Sequence, residues 1–149
     1  MTLMLRMKIL MPWEPRPVPE TTPETKEFWT AAADERYLLS ECNNCDCTYY
    51  YPRAHCPECL SSDVEWQESS GRGTVYSYTI LSRIDGWPDD DLPLVAAFVE
   101  LEEGPRVMTN IVGCDPDNIN IGGAVEVQFT PVEGDDIAVP VFSLANSDK

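Results

Sequence analysis

Basic residues and imidazole are what this 149-residue chain has least of. It carries a single histidine, His55, and ten Lys and Arg against 26 Asp and Glu, for a formal net charge of −16. Only Lys8, Lys26 and Lys149 are lysines. The shortage argues against a general affinity for phosphate backbones, which basic side chains must neutralise. It also removes the usual general base, because a nucleophile needs a base within hydrogen-bonding reach and that base is most often His. No Ser occupies a strand-to-helix elbow, and no glycine-rich loop opens a helix for phosphate. The chain is therefore expected to do no chemistry alone.

Long apolar runs are missing as well. The opening "MTLMLRMKILM" is interrupted by Arg6 and Lys8 and followed by Pro12, so neither an export signal nor a membrane span is expected, and Met7 and Met11 are alternative starts. The expected compartment is the cytoplasm, where thiols stay reduced. The acids are spread along the chain instead of forming a tail. A distributed, lysine-poor acidic surface suits high salt, where screening suppresses self-repulsion.

Cysteine is abundant, and concentrated. "ECNNCDCTYYYPRAHCPEC", residues 41–59, holds five of the six. Cys42 and Cys45 are spaced C-x2-C, as are Cys56 and Cys59, with ten residues between the pairs. Each pair can form a tight turn with two thiolates on one side, and two such turns complete a tetrahedron around one Zn²⁺. A four-thiolate site leaves no position open for water, so the zinc is structural. Cys47 is a fifth thiol that competes with Cys45, though C-x4-C makes a poorer knuckle. His55, beside Cys56, reads as a surface residue or a neighbour of the ligands.

Five of the thirteen prolines lie in "PWEPRPVPETTP", residues 12–23, which reads as an extended arm within segment 1–23. Residues 24–39 hold a short helix, "ETKEFWTAAADER", capped by Thr22 or Thr25, with Phe28, Trp29 and Ala32 on one face. Two roles stand for Phe28 and Trp29: gripping a partner protein, or packing on their own domain. Residues 40–68 form the ribbon. From 69 to 149 come five runs rich in β-branched and aromatic residues: "GRGTVYSYTILSRI", "PLVAAFVEL", "PRVMTNIV", "AVEVQFTP" and "IAVPVFSL". Five strands with turn-rich corners and no helix between them predict a small Greek-key barrel of the OB type, with an SH3-like barrel as competitor. Cys114 reads as a small buried hydrophobe, and Asp115 and Asp117 as turn formers.

The order of these parts resembles the DUF35 family. The residues that carry the resemblance are the "FW" helix, the ribbon "C-x2-C…YPR-x2-CPxC", then "SGRGTVYSYTI", "LPLVAAFVELEEG" and "IGGAVEVQF", over about residues 20–132. The resemblance implies a mostly β protein: an N-terminal helix, a rubredoxin-like zinc ribbon and a five-stranded OB-fold barrel. It implies a non-catalytic accessory subunit that docks on a thiolase-superfamily acyl-CoA enzyme, such as an acetyl-CoA acetyltransferase, and in some cases bridges to hydroxymethylglutaryl-CoA synthase. Hydratases and retro-aldolases acting on CoA thioesters are further partners of the family. With the charge, it implies a halophilic archaeal source. The family often has Gly after the second cysteine of each pair, where this chain has Asp46 and Leu60. Leu takes the left-handed conformation reluctantly, so a remodelled second knuckle is expected.

Two functions follow. In the first, the chain holds or channels a CoA thioester beside a catalytic subunit, and the scarce cations Arg53, Arg72, Arg83 and Arg106 meet CoA phosphates. Surface salt bridges are the plainer role for those arginines. In the second, it is a single-stranded nucleic-acid module with Tyr49, Tyr50, Tyr51, Tyr76 and Tyr78 as stacking platforms. Net charge weighs against the second, and alternation along one strand face explains Tyr76 and Tyr78 more simply.

The charge balance makes a prediction of its own. The Debye length shrinks from about 10 Å at 0.1 M salt to about 3 Å at 1 M. The melting temperature should rise between 0.1 and 2 M KCl, and a flat or falling value in a thermal scan would refute the adaptation to salt.

Overall fold

The computed structural model describes residues 17–132 and 136–145. Met7, Met11 and the first part of the proline-rich arm lie outside them. The described chain begins as extended backbone and enters one helix, α1 (Lys26–Ala33). Thr25 is its N-cap by position, but its hydroxyl does not cap the helix. It accepts instead from the Thr22 amide at 2.9 Å, closing a local turn before the helix. No helix among the described residues is long and apolar enough to cross a membrane.

Eight strands follow, in two sheets. The first sheet has the order β2-β1-β3, from β1 (Leu38–Cys42), β2 (Thr48–Tyr49) and β3 (Val64–Glu68), all antiparallel. The second has the order β6-β5-β4-β7-β8, from β4 (Arg72–Leu81), β5 (Leu94–Leu101), β6 (Arg106–Asn110), β7 (Ala124–Pro131) and β8 (Ala138–Leu144). A parallel bridge between Ile111 and Phe142 brings the end of β6 against β8 and nearly closes the sheet. Counted within the barrel, the order is 3-2-1-4-5 with strands 3 and 5 meeting in parallel. That is the five-stranded Greek-key barrel of the OB-fold, and the SH3-like alternative falls away.

The first barrel strand shows how closure is achieved. Residues 72–74 of β4 pair with β7 while 73–81 pair with β5, so ten residues serve two neighbours. The register shifts between Val75 and Ser77, a bulge that bends the strand. The bulge also corrects the simple alternation expected for the two tyrosines. Tyr76 points to solvent, whereas Tyr78 sits opposite buried Ala97, packs on the core and donates to the Ile119 carbonyl at 3.2 Å.

Helix and ribbon are not appendages of the barrel. Phe28 and Trp29 are 0% and 5% exposed, in one continuous core with Val75, Val99, Val125 and Phe142. Their rings stand edge to face at 4.9 Å, and Phe28 meets Tyr50 of the ribbon at 5.9 Å. Tyr37, between α1 and β1, touches Phe129 and Phe142 of the barrel at 6.3 and 6.0 Å. Burial, with Tyr50 beside it, pushes the Tyr37 phenol well above its usual range, so the ring stays neutral. This corrects the expectation that Phe28 and Trp29 grip a partner: both rings are consumed in the chain's own core. Burying an aromatic side chain of this size is worth roughly 1.5–3 kcal/mol, and here it is spent on joining three parts.

The link between ribbon and barrel is a polar clasp. Ser69 Oγ donates to Glu103 Oε1 and the Ser70 amide to Glu103 Oε2, each at 2.8 Å. Ser70 Oγ and Arg72 Nε reach Glu102 at 3.0 and 3.2 Å. Gly71 turns the chain at φ +79°, and a Cβ there would lie 2.5 Å from Val127 Cγ1, so no larger residue fits.

Candidate metal centre

Two knuckles build the site. Cys42 closes β1, and the turn after it returns the Asp46 amide to the Cys42 carbonyl at 2.9 Å and the Cys42 amide to the Cys47 carbonyl at 2.8 Å. The second turn repeats this around Cys56: Leu60 N–H to the Cys56 carbonyl at 2.9 Å, and Cys56 N–H to the Ser61 carbonyl at 2.9 Å. Asp46 and Leu60 have φ of +63° and +66°. The second knuckle is therefore not remodelled, which corrects the expectation drawn from Leu60. The hydrogen bonds of the turn and the metal-side geometry hold Leu60 in the left-handed region, at a cost of about 1–2 kcal/mol.

The knuckles bring Cys42, Cys45, Cys56 and Cys59 together, with all four Sγ atoms within 4.8 Å of one another. The Cys42–Cys59 and Cys45–Cys56 sulfur pairs are each 3.6 Å apart. Zn–S bonds of about 2.3 Å in a tetrahedron require Sγ–Sγ edges of about 3.8 Å. The cluster fits zinc. Cys47 and His55 are outside it: the Cys47 thiol faces the Thr48 carbonyl at 3.8 Å and His55 is exposed.

Backbone and side-chain donors prepare the sulfurs for negative charge. The Asn44 amide donates to Cys42 Sγ and the Glu58 amide to Cys56 Sγ, each at 3.3 Å. Asn44 Nδ2 donates to Cys59 Sγ at 3.4 Å, and with the Ser61 amide it draws the Cys59 thiol down to about 6. The Cys47 amide favours ionised Cys45, but burial and the thiols of Cys56, Cys59 and Cys42 push it up to about 12. Four thiolates this close repel one another, and a divalent cation is what lets all four ionise together. Zinc binding thus displaces protons, and the ribbon's stability falls as acid returns them.

The four arginines are scattered. Arg53 is exposed on the ribbon beside a groove of about 330 Å³ that Trp66 also lines. Arg72 pairs with Glu102 at 3.2 Å, and Arg106 with Glu100 at 3.9 Å. Arg83 is exposed in the loop beyond β4, at the opposite end of that strand from Arg72. They do not converge on one anion site. The five tyrosines do not form one platform: Tyr49 is buried with its hydroxyl donating to the Arg53 carbonyl at 2.9 Å, Tyr50 and Tyr78 pack on the core, and Tyr51 and Tyr76 are exposed on the ribbon and the barrel respectively. Cys114 packs against the core, where burial raises its thiol, and Asp115 accepts from the Asp117 amide at 3.0 Å as a turn former.

Comparison with known proteins runs along both modules. Residues 29–65 match the rubredoxin-like zinc ribbon domain of ChsH2, and residues 66–130 its C-terminal OB-fold domain. A DUF35 domain-containing scaffold protein of Methanothermobacter thermautotrophicus is 42% identical over 118 residues, 76% of this chain and 88% of its own. The probable enoyl-CoA hydratase alpha subunit of Thermomonospora curvata is 37% identical over 127 residues; the match takes 85% of this chain but only 39% of that protein. Among solved structures, the Ltp2-ChsH2(DUF35) aldolase superposes with a TM-score of 0.76 at 33% identity, covering 87% of this chain and 100% of the other.

Two outcomes test the site. Cys42→Ser should release the zinc and unfold the ribbon, while Cys47→Ser should keep one zinc per chain by elemental analysis; equal loss in both would overturn the ligand set. Leu60→Gly should raise the stability of the zinc-loaded protein by about 0.5–1 kcal/mol, relief of backbone strain outweighing the freer unfolded chain. Chemical denaturation reads that difference.

Proposed function

The chain belongs to the DUF35 family, and from that premise we propose that it is a non-catalytic scaffold subunit of an acyl-CoA enzyme complex, docking on a catalytic chain and helping to hold the CoA thioester. The observation that carries the reading is the match of both modules, ribbon and barrel, to relatives whose names are scaffold protein, hydratase alpha subunit and Ltp2-ChsH2(DUF35) aldolase. A thiolase-superfamily enzyme is the partner we favour, with hydroxymethylglutaryl-CoA synthase as a second enzyme the scaffold could bridge to it. The physical side is consistent with a scaffold. Zinc supplies folding free energy to a ribbon too small to keep its own core, and the ribbon's aromatics are continuous with the barrel core, so the chain offers a rigid two-module surface.

In this reading the nucleophile and the base come from the partner. Arg53 and Arg83, both exposed and in no ion pair among the described residues, are the two of the four arginines we assign to the CoA phosphates.

The test is enzymatic. Alone, the chain should turn over neither acetyl-CoA nor acetoacetyl-CoA; added to its partner, it should be needed for full activity. Charge reversal at Arg53 or Arg83 that raises KM for the CoA substrate while the complex persists would mark a CoA contact. A partner whose activity, substrate affinity and stability are all unchanged by this chain would overturn the proposal.

A further inference from the structure

One face of the barrel gathers large exposed apolar side chains from three adjacent strands. On the outer side of β4, β5 and β6, Tyr76, Phe98 and Met108 are 46%, 42% and 67% exposed. Phe98 and Met108 are direct cross-strand partners, and Ser77, displaced by the bulge, pairs with Phe98 on its other side. Small residues lie beneath them: Ser77, Thr79 and Ala96 floor a shallow depression of about 200 Å³ walled by Phe98 and Met108. The floor is a consequence of sequence. Had Ala96 been a β-branched or aromatic residue, as strands favour, the depression would be filled.

Beside this socket the Arg106 guanidinium lies 3.9 Å over the Tyr76 ring, held also by Glu100, and Arg72 lies on the same outer face, held by Glu102. We propose that this β4–β5–β6 face is where the catalytic subunit docks, inserting one large apolar side chain between Phe98 and Met108 and packing around it on the internally neutralised Arg72–Glu102 and Arg106–Glu100 pairs. The assignment rests on the scaffold reading above.

Three features select a folded protein as occupant. The depression is open and shallow, sized for a side chain. Its rim is Tyr, Phe, Met and Arg, the residues enriched in interface cores and among the few that carry most binding energy. Finally, the charges decide between a protein and an oligonucleotide. Strands 2 and 3 of an OB barrel are the usual oligonucleotide face, and Tyr76 and Phe98 could stack bases. Yet Arg72 and Arg106 are matched one for one by Glu102 and Glu100, so the face carries no net positive charge on a chain of −16. A phosphate backbone finds nothing here to release its counterions. A protein with an apolar anchor and an uncharged polar rim meets a neutral patch where approach is not repelled.

The test is co-purification of tagged full-length chain from the cells that make it, in high salt, comparing wild type with Met108→Asp, Phe98→Asp and the control Ile121→Asp, a residue 62% exposed in the loop between β6 and β7 and not among those that line the depression. Zinc content and melting temperature check that each variant is folded; Met108, the most exposed of the three, keeps the test valid if Phe98→Asp misfolds. Wild type and Ile121→Asp should each bring down an acyl-CoA enzyme chain identified by mass spectrometry, and Met108→Asp should reduce it at least tenfold. Full retention by Met108→Asp, or equal loss in Ile121→Asp, overturns the face and leaves the scaffold function standing. Wild type bringing down no acyl-CoA enzyme overturns the function and this occupant together. Two further results would give the face to another occupant and overturn the proposal: a homodimer of the isolated chain that Met108→Asp dissolves, or oligo-dT binding at working salt that Met108→Asp abolishes.

Discussion

Four thiolates around one cation are the constraint on which the rest depends. The ribbon sheet pairs two residues of β2 and five each of β1 and β3, far too little to enclose a core by itself. What fixes it is the pair of knuckles at Cys42–Cys47 and Cys56–Ser61, whose hydrogen bonds point amides at sulfur and whose sulfurs stand at the corners of a tetrahedron. Once Cys42 is held at the end of β1, Leu38 and Leu39 and the preceding Tyr37 are carried in register against α1 and the barrel. The metal acts at one end of a strand and is felt at the other.

From there the structure is a chain of contacts between modules. Phe28 of the helix, Tyr37 and Tyr50 of the ribbon, and Phe129 and Phe142 of the barrel meet ring to ring at 5.9 to 6.3 Å. Aromatic contacts of this sort add specificity of geometry to the area they bury. On the outside, the Ser69–Ser70–Arg72 segment is clasped by Glu102 and Glu103 from the β5–β6 turn. An apolar weld and a polar clasp act on the same junction from different sides. A scaffold that must present a fixed surface to another protein gains from both, because interfaces that need no ordering on binding retain more of their contact energy.

The acidic surface and the neutral barrel face belong to one design. Uniform negative charge keeps the chain soluble where ions screen it, but it also repels any partner of similar composition. Pairing each arginine with a glutamate on the β4–β5–β6 face removes that repulsion locally without creating a cationic patch.

The cysteine spacing, the acid excess and the five β-rich runs were legible in the amino-acid sequence because each is local: a knuckle needs two thiols three positions apart, and a strand needs a few β-branched residues between turns. Cys42, Cys45, Cys56 and Cys59 could be singled out from spacing, and Cys47 set apart by the same argument. Leu60 misled because local propensity was outvoted by the turn it completes. Phe28 and Trp29 misled for the opposite reason: an amphipathic helix shows which face is apolar but never what will cover it, and only the packing of α1 on β1, β7 and β8 decided that the cover is the chain itself. The bulge after Val75 turned Tyr76 and Tyr78 to opposite sides, an outcome no two-residue periodicity contains. The apolar face proposed for docking is likewise tertiary, since Tyr76, Phe98 and Met108 lie on three strands and become neighbours only through the register that the closed barrel imposes.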